Sequence, residues 1–274
     1  MAGKHAADVE FDTQPVISHS MGERRLAIHQ ERLAAQKVKS LKKKRGVIDW
    51  ILICIIELMV SVFVLSGSFF LWKFYINDSV ENTAQTSQAE EMVEKWTSGT
   101  SIGSLDYDPQ DPIITAEPAD RTEFAVIYIP RLGAMKPIVQ GTSRSNLALG
   151  AAHYPGSAMP GDYGNFAVAG HRNTVFVNLK AVVPGDNIYI QTADGYYTYQ
   201  VVDPHYIVKP TDVQVVAPIP GELNSTNSQA EDIGQRMLTL TTCWPEWSNT
   251  ERLILHAEFI EWRPLEAGAP AEIR

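Results

Sequence analysis

An all-β domain, barrel or sandwich, behind a single membrane-crossing helix is the fold class that this 274-residue sequence predicts. One apolar run, Val47 to Trp72, is long enough to cross a hydrocarbon layer of about 30 Å at about 1.5 Å per residue. Beyond residue 120 the chain breaks into short β-branched and aromatic runs bounded by Pro and Gly. Helical patterns in that region are few and short, as a barrel or sandwich requires.

The first element is a polar head, residues 1–46, with a helical pattern over Gly22–Lys43 and weak order. The second is the apolar run. Trp50 and Trp72 mark its ends as interfacial aromatics do, and Asp49 sits near enough to one end to reach water. Glu57 lies deeper, where an ionised carboxylate costs about 2–3 kcal/mol, so it is read as neutral or as facing a partner helix. The run is longer than a signal-peptide core and no small-x-small site follows it, so it reads as a retained anchor. Lys42, Lys43, Lys44 and Arg45 abut its start. The positive-inside rule then puts residues 1–46 in the cytoplasm and everything after Trp72 outside the cell membrane, as a single-pass protein.

Charge is divided the same way. Residues 1–46 hold 10 Lys and Arg against 5 acids, and residues 73–274 hold 13 against 25. An acidic body lacks the basic patch that phosphate contacts need, which argues against a nucleic-acid partner. The two cysteines, Cys54 in the apolar run and Cys243 far downstream, do not read as a disulfide pair. The exported part must therefore be held by its core, and about 145 residues suffice for that.

Residues 73–118 are rich in Ser, Thr, Gln, Asp and Pro and read as an extended stalk, with a short helix near Ala89–Trp96. Residues 119–264 form the predicted catalytic domain. Its strands are Phe124–Ile129, Lys136–Gln140, Asn165–Ala169, Asn187–Gln191, Tyr196–Val208, Met237–Thr242 and Arg252–Ile260. Short helices are predicted at Ser145–Leu149, with Ser145 as N-cap, and at Thr174–Lys180. Residues 265–274, rich in Pro, Ala and Gly, read as a flexible tail.

The chemistry centres on Thr239-Leu240-Thr241-Thr242-Cys243. Cys243 ends a strand, and Pro245 stiffens the loop that follows. A thiol reacts as its thiolate, which neighbouring cations favour. Taken alone, a lone cysteine is more often a small buried hydrophobe. Two further residues change that balance. Arg252, nine positions on, offers rigid donors to an anion or to the oxygen of a tetrahedral intermediate. His171, after the strand Asn165–Ala169 and Gly170, offers a proton to a leaving amine. Strand alternation puts Arg252, Ile254 and His256 on one face of the last strand. His153, in the Gly/Pro-rich loop Gly150–Gly156, is a candidate substrate contact, and His205 and His256 read as structural. No His/Cys/Asp grouping has metal-ligand spacing, and Gly156–Gly164 carries no phosphate-loop fingerprint, so neither metal nor cofactor is expected.

Thr239–Cys243, Arg252 and the upstream Gly170-His171-Arg172 together resemble the signature of the sortases, membrane-anchored cysteine transpeptidases of Gram-positive bacteria. The resemblance covers about Asp120 to Trp262, and the anchor fits it. Ile129–Gly133, His153–Gly161 and Gly164–Arg172 are most similar to class E, the actinobacterial type. The segment Asn173–Asn178 departs from the family's usual Gly/Pro-containing loop, which concerns the wall of the cleft and not the chemistry. The resemblance implies an eight-stranded barrel and a thioester on Cys243, formed at the Thr–Gly bond of an LPxTG-like or LAxTG-like sorting signal. His171 would protonate the departing amine and Arg252 would hold the substrate backbone or oxyanion. Implied partners are surface proteins bearing sorting signals, and an amine from a peptidoglycan precursor or a pilin lysine. Pro210–Ile233 would be the substrate-facing loop, with Val213, Val215, Val216, Ala217 and Ile219 against the leucine and second-position side chains. Thr241 and Thr242 would contact substrate beside the nucleophile.

Three rival readings remain beside wall anchoring. A pilin-polymerising enzyme would carry a lid with an Asp-Pro-aromatic anchor; Asp108-Pro109-Gln110 and Asp111-Pro112-Ile113 have the Asp-Pro without the aromatic. A membrane-tethered barrel could bind sorting signals without turnover. An extracellular cysteine hydrolase would use water as its usual acceptor.

Overall fold

The computed structural model describes residues 17–41, 46–72 and 78–274. The chain divides into two compact units, residues 1–68 and 69–274.

The first unit contributes α1 (Ile17–Leu41) and most of α2 (Val47–Leu71). α2 has a mean hydropathy of 2.5 with nothing buried, so it is long and apolar enough to cross a membrane. Asp49 is placed where an acid serves the helix: its carboxylate accepts from the Gly46 amide at 2.9 Å, satisfying a donor that the first turn leaves open. The basic cluster Lys42–Arg45 lies outside the described residues.

In the second unit the expected extended stalk gives way to a 20-residue helix, α3 (Asp78–Thr97). The first half of its inward face is Asn82, Gln85, Thr86 and Ala89, polar and small, and the half-buried Met92, Val93 and Trp96 follow. Hydropathy does not reveal the first half, which docks by hydrogen bonds. Lys136 Nζ donates to Asn82 O and Thr86 Oγ1, each at 2.8 Å, and Gln85 Nε2 donates to Ala148 O at 3.1 Å.

The barrel follows as β1 (Glu123–Ile129), β2 (Ala134–Gln140), α4 (Arg144–Leu147), β3 (Ala151–His153) and β4 (Gly164–Ala169). Then come β5 (Asn187–Gln191), β6 (Gly195–Val201), β7 (Tyr206–Val208), α5 (Asn227–Asp232), β8 (Arg236–Trp244) and β9 (Glu251–Pro264). The order is β6-β5-β1-β2-β3-β4-β8-β9, and β9 closes back on β6. The ring therefore has eight strands. β2–β3 and β4–β8 pair parallel and the other neighbours antiparallel. β7 is the far half of the predicted strand Tyr196–Val208. Asp203-Pro204 interrupts it, but both halves pair with β9.

The fold is therefore a mixed barrel with helices and not purely all-β: α1, α2 and α3 alone contribute 25, 25 and 20 residues. α4 is capped by Ser143, whose hydroxyl accepts from the Asn146 amide, two residues before the expected cap. The predicted helix at Thr174–Lys180 is a turn leading into one 3-10 turn, Leu179–Ala181. The tail is packed rather than flexible. Leu265 is buried, Tyr189 donates to Glu272 at 2.8 Å, and the Gly103 amide donates to Glu266 O at 2.9 Å.

Alternation fills the barrel. Phe166 and Val168 of β4, Leu238 and Leu240 of β8, and Leu253, Leu255 and Ala257 of β9 join one core with Tyr197 and Tyr199. Each large side chain fully buried here contributes about 1.5–3 kcal/mol. The intervening residues Asn165, Thr239, Thr241, Cys243, Arg252, Ile254 and His256 face outward by the same alternation.

Candidate active site

Cys243 stands at the last turn-free stretch of β8 and Arg252 is its cross-strand partner on β9. Directly opposite residues on antiparallel strands project to one face, so the thiol and the guanidinium share the outer surface of the barrel. Both are half-buried. Arg252 Nη1 donates to Asn249 O at 2.9 Å and Glu251 O at 2.8 Å, which orients the group. Cys243 carries a free thiol.

His171 reaches the same end of the barrel through β4. That strand runs parallel to β8, with Ala169 opposite Thr241. The Gly170 amide donates to Thr241 O at 3.0 Å, and Thr242 Oγ1 donates to Gly170 O at 2.8 Å. The peptide just before His171 is thus fastened to the residues just before Cys243. His171 O accepts from the Val175 and Phe176 amides at 3.1 and 2.9 Å, which fixes the following turn. Gly170 is required by close approach: a Cβ there would sit 2.6 Å from the Phe176 ring.

A cleft of 290 Å³ opens beside the thiol, lined among others by Arg172, Phe176, Thr242, Cys243, Trp244 and Leu253. Its rim is braced on two sides. Arg172 Nη1 donates to Ser248 O at 2.5 Å. Lys180 pairs with Glu246 and lies 5.7 Å from the centre of the Trp244 ring. The Lys180 ammonium holds the Glu246 carboxyl below the usual carboxylate range.

Tyr154 is a neighbour of Cys243 and Arg252 that the sequence did not reveal. Burial pushes its phenol above the ordinary value of 10.0, the Arg252 guanidinium pulls it back, and the Cys243 sulfur pushes it up again. Its hydroxyl therefore lies in the field of both groups. The available signal is its place in the Gly/Pro-rich loop beside His153.

His153, expected as a substrate contact, lies in the interior with both ring nitrogens engaged by the protein. It is 0 % exposed, with Nδ1 2.7 Å from Gln140 Oε1 and Nε2 2.8 Å from Ser157 Oγ. Its ring packs between Phe124 and Phe166, and burial depresses its proton affinity, so it serves the core. Thr242 lines the cleft, but its hydroxyl is engaged by Gly170; Thr241 is buried behind it. Val213, Val215 and Ala217 do not line the cleft at Cys243. They belong to a 3-10 turn, Val213–Val216, and its exit, lying over β4. Val213 is 54 % exposed, while Val215 and Ala217 are 8 % exposed. Among the described residues no group of three or more His, Cys, Asp or Glu is placed to hold a metal ion.

Residues 127–260 match the profile of the sortase domain. Sortase SrtE1 of Streptomyces coelicolor is 36% identical over 157 residues, which is 54% of this chain and 43% of that protein. The chain thus aligns with under half the length of that relative. The SrtF sortase from Corynebacterium diphtheriae is 28% identical with a TM-score of 0.53, over 60% of this chain and 97% of that one. The SrtA sortase from Actinomyces oris is 29% identical with a TM-score of 0.51, over 59% and 92%.

Proposed function

We propose a cysteine transpeptidase function for this chain, which belongs to the sortase family. The carrying observation is the cross-strand pair Cys243–Arg252, with the backbone before His171 fastened to the same strand end. Cys243 lines the cleft; a thiol with an anion-binding donor opposite it on the next strand and an imidazole at the same end of the barrel would serve as nucleophile, oxyanion donor and general acid.

The reaction balances with those three groups. The Cys243 thiolate adds to the threonine carbonyl carbon of a sorting signal. Arg252 faces the developing oxyanion. The Thr–Gly carbon–nitrogen bond breaks, its electron pair leaves on the glycine nitrogen, and His171 supplies the proton. A thioester remains. An amine nitrogen then adds to the same carbon, the carbon–sulfur bond breaks, and the surplus proton of the amine passes to His171. The enzyme returns to its starting state.

The substrate class follows from the family: LPxTG-like signals, or LAxTG-like ones for a class E enzyme, a class supported by the 36% identity to SrtE1. The acceptor would be a peptidoglycan-precursor amine. α2 would anchor the chain in the cell membrane, with the basic residues before it on the cytoplasmic side.

One observation weighs against pilin polymerisation under a lid. The Asp-Pro segment lies near the Arg236 end of β8, away from Cys243. Gln110 Nε2 donates to Ile260 O at 2.7 Å, Arg236 Nη1 donates to Gln110 O at 2.8 Å, and the Trp262 amide donates to Pro109 O at 2.8 Å. Arg236 and Cys243 are seven residues apart on one strand, about 23 Å at about 3.3 Å per residue.

The test presents LPxTG and LAxTG peptides to the detergent-solubilised full chain, with a diaminopimelate-type amine or oligoglycine. Mass spectrometry should find the acyl group on Cys243 and the peptide joined to the amine. Neither adduct nor cleavage with either peptide would refute the reading. Hydrolysis unaffected by added amine would favour the hydrolase, and unchanged cellular function of Cys243→Ala would favour a non-catalytic binder.

A further inference from the structure

On the outer face of the barrel a chain of polar side chains runs from the surface to the segment that covers β4. Tyr206 Oη lies 2.8 Å from His256 Nε2, and His256 Nδ1 lies 2.8 Å from Thr239 Oγ1. Thr239 Oγ1 is 2.7 Å from Asn165 Oδ1 and 3.4 Å from Val215 O. Asn165 Nδ2 reaches Val215 O at 3.3 Å and Ala217 O at 3.0 Å. The four side chains come from β7, β9, β8 and β4, so the chain crosses every strand on this side of the barrel.

Valence fixes its direction. Backbone carbonyls only accept, so Asn165 turns its amide nitrogen to Val215 and Ala217 and its oxygen to Thr239. That oxygen takes the single hydroxyl hydrogen of Thr239 along the shorter of its two contacts. Thr239 must then accept from His256, so the hydrogen of the neutral ring sits on Nδ1. Nε2 keeps its lone pair and accepts from the Tyr206 hydroxyl. The neutral ring agrees with its burial, which lowers the proton affinity of His256 against the opposing pull of Asp203. Every donor in the sequence has one acceptor, and the last two acceptors are carbonyls of the 213–217 segment.

What that hold accomplishes rests on the transpeptidase reading. Thr241 and Thr239 continue the outer row from Cys243 but are 4 % and 0 % exposed, so a sorting peptide with its threonine carbonyl at Cys243 runs over whatever covers them, with its leucine, three residues upstream, about 10 Å away. Thr239 is about 13 Å from Cys243 by the same spacing. The segment held by Asn165 covers this stretch. We propose that His256 and Asn165 are positioning residues: through Thr239, they fix Val213–Ala217 as the wall that receives the upstream end of the sorting signal.

The test compares His256→Leu with His256→Asn in the full chain. Asparagine can place an N–H donor near the position of Nδ1; leucine cannot. His256→Leu should raise KM for the sorting peptide about fivefold, the worth of one hydrogen bond, with kcat within about twofold. His256→Asn should restore most of it. Amide hydrogen exchange over residues 213–217 should speed up in the leucine variant and slow again in the asparagine one. That readout decides the proposal even if the wild-type chain cleaves no sorting peptide, an outcome that would refute the transpeptidase reading by itself. Equal exchange in all three proteins, or a loss confined to kcat, would overturn the positioning role. Should His256→Leu not accumulate folded, Thr239→Val against Thr239→Ser breaks and keeps the same link, with the same expected contrast.

Discussion

Thr242 gives its hydroxyl hydrogen to the carbonyl of Gly170 across 2.8 Å, tying the residue before Cys243 to the residue before His171. The bond spans a parallel strand pair whose last ladder position is Ala169–Thr241. It continues the ladder with a side chain where the backbone pairing stops. The sequence reading gave Thr242 to the substrate; the structure gives its hydroxyl to the scaffold.

Thr242→Val removes that tie without changing the volume. The Gly170–Thr241 backbone bond survives, so the barrel folds, but His171 is held less firmly. A misplacement near 1 Å in a catalytic group costs up to about a hundredfold. Steady-state kinetics should show kcat lowered about tenfold to a hundredfold with KM little changed, and Thr242→Ser should recover most of the rate.

Arg252→Gln keeps a donor opposite Cys243 but removes the charge. Loss of an oxyanion donor typically costs about 10²–10³ in kcat. The thioester should still form, slowly, in a single-turnover experiment with mass detection. Cys243→Ala should form none.

His153→Leu should leave peptide kinetics intact and weaken the fold. Gln140 Oε1 would lose a buried partner, and such an orphaned group costs about 1–3 kcal/mol, while Ser157 Oγ keeps Tyr154 O and the Ala167 amide. Urea denaturation should show the lower midpoint. A higher KM at unchanged stability would return His153 to the substrate.

Lys136 predicts a pH effect on stability. It is 3 % exposed, and burial lowers its value from 10.5 to about 8. Between those values the unfolded chain keeps the proton and the folded chain releases it. Stability therefore rises with pH across the window from about 8 to 10.5, and the cost of the buried charge is fully present below it. Thermal melts of wild type and Lys136→Met over that range should show the wild type gaining relative to the variant as pH rises. Parallel curves would mean that the three acceptors on α3, Asn82 O, Asn82 Oδ1 and Thr86 Oγ1, offset the burial.

Deleting residues 106–113 should lower the melting temperature without speeding peptide cleavage, because those residues brace β8 and β9 far from the thiol. Faster cleavage would place the segment over the cleft after all.

The barrel was legible where β-branched and aromatic residues alternate, as in β4, β8 and β9, and the three catalytic candidates were legible from residue type and spacing. α3 was legible only in its second half, as the short helix near Ala89–Trp96; its first half docks through Asn82, Gln85 and Thr86, and hydropathy is blind to a surface that packs by hydrogen bonds. β3 was missed because Ala151-Ala152-His153 is too short and too small-chained to show a period. The tail was misread because Pro and Ala indicate looseness only when nothing covers them, and Leu265 and Glu272 find partners in the barrel. Tyr154 and His153 illustrate the general difficulty: adjacent residues of a strand end point to opposite sides, and composition does not say which side is the cleft.

β9 pairs with β8 along one edge and with β7 and then β6 along the other. A slip of one residue against β8 would bring Leu253 opposite Cys243 in place of Arg252. The same slip would turn Leu253, Leu255 and Ala257 out to water and Arg252, Ile254 and His256 into the core. Chemistry and packing thus share a single parity bit along this strand. The apolar interior acts as a checksum on the Cys243–Arg252 pair: a chain that misplaces the arginine also turns its core residues out to water and fails to close its barrel.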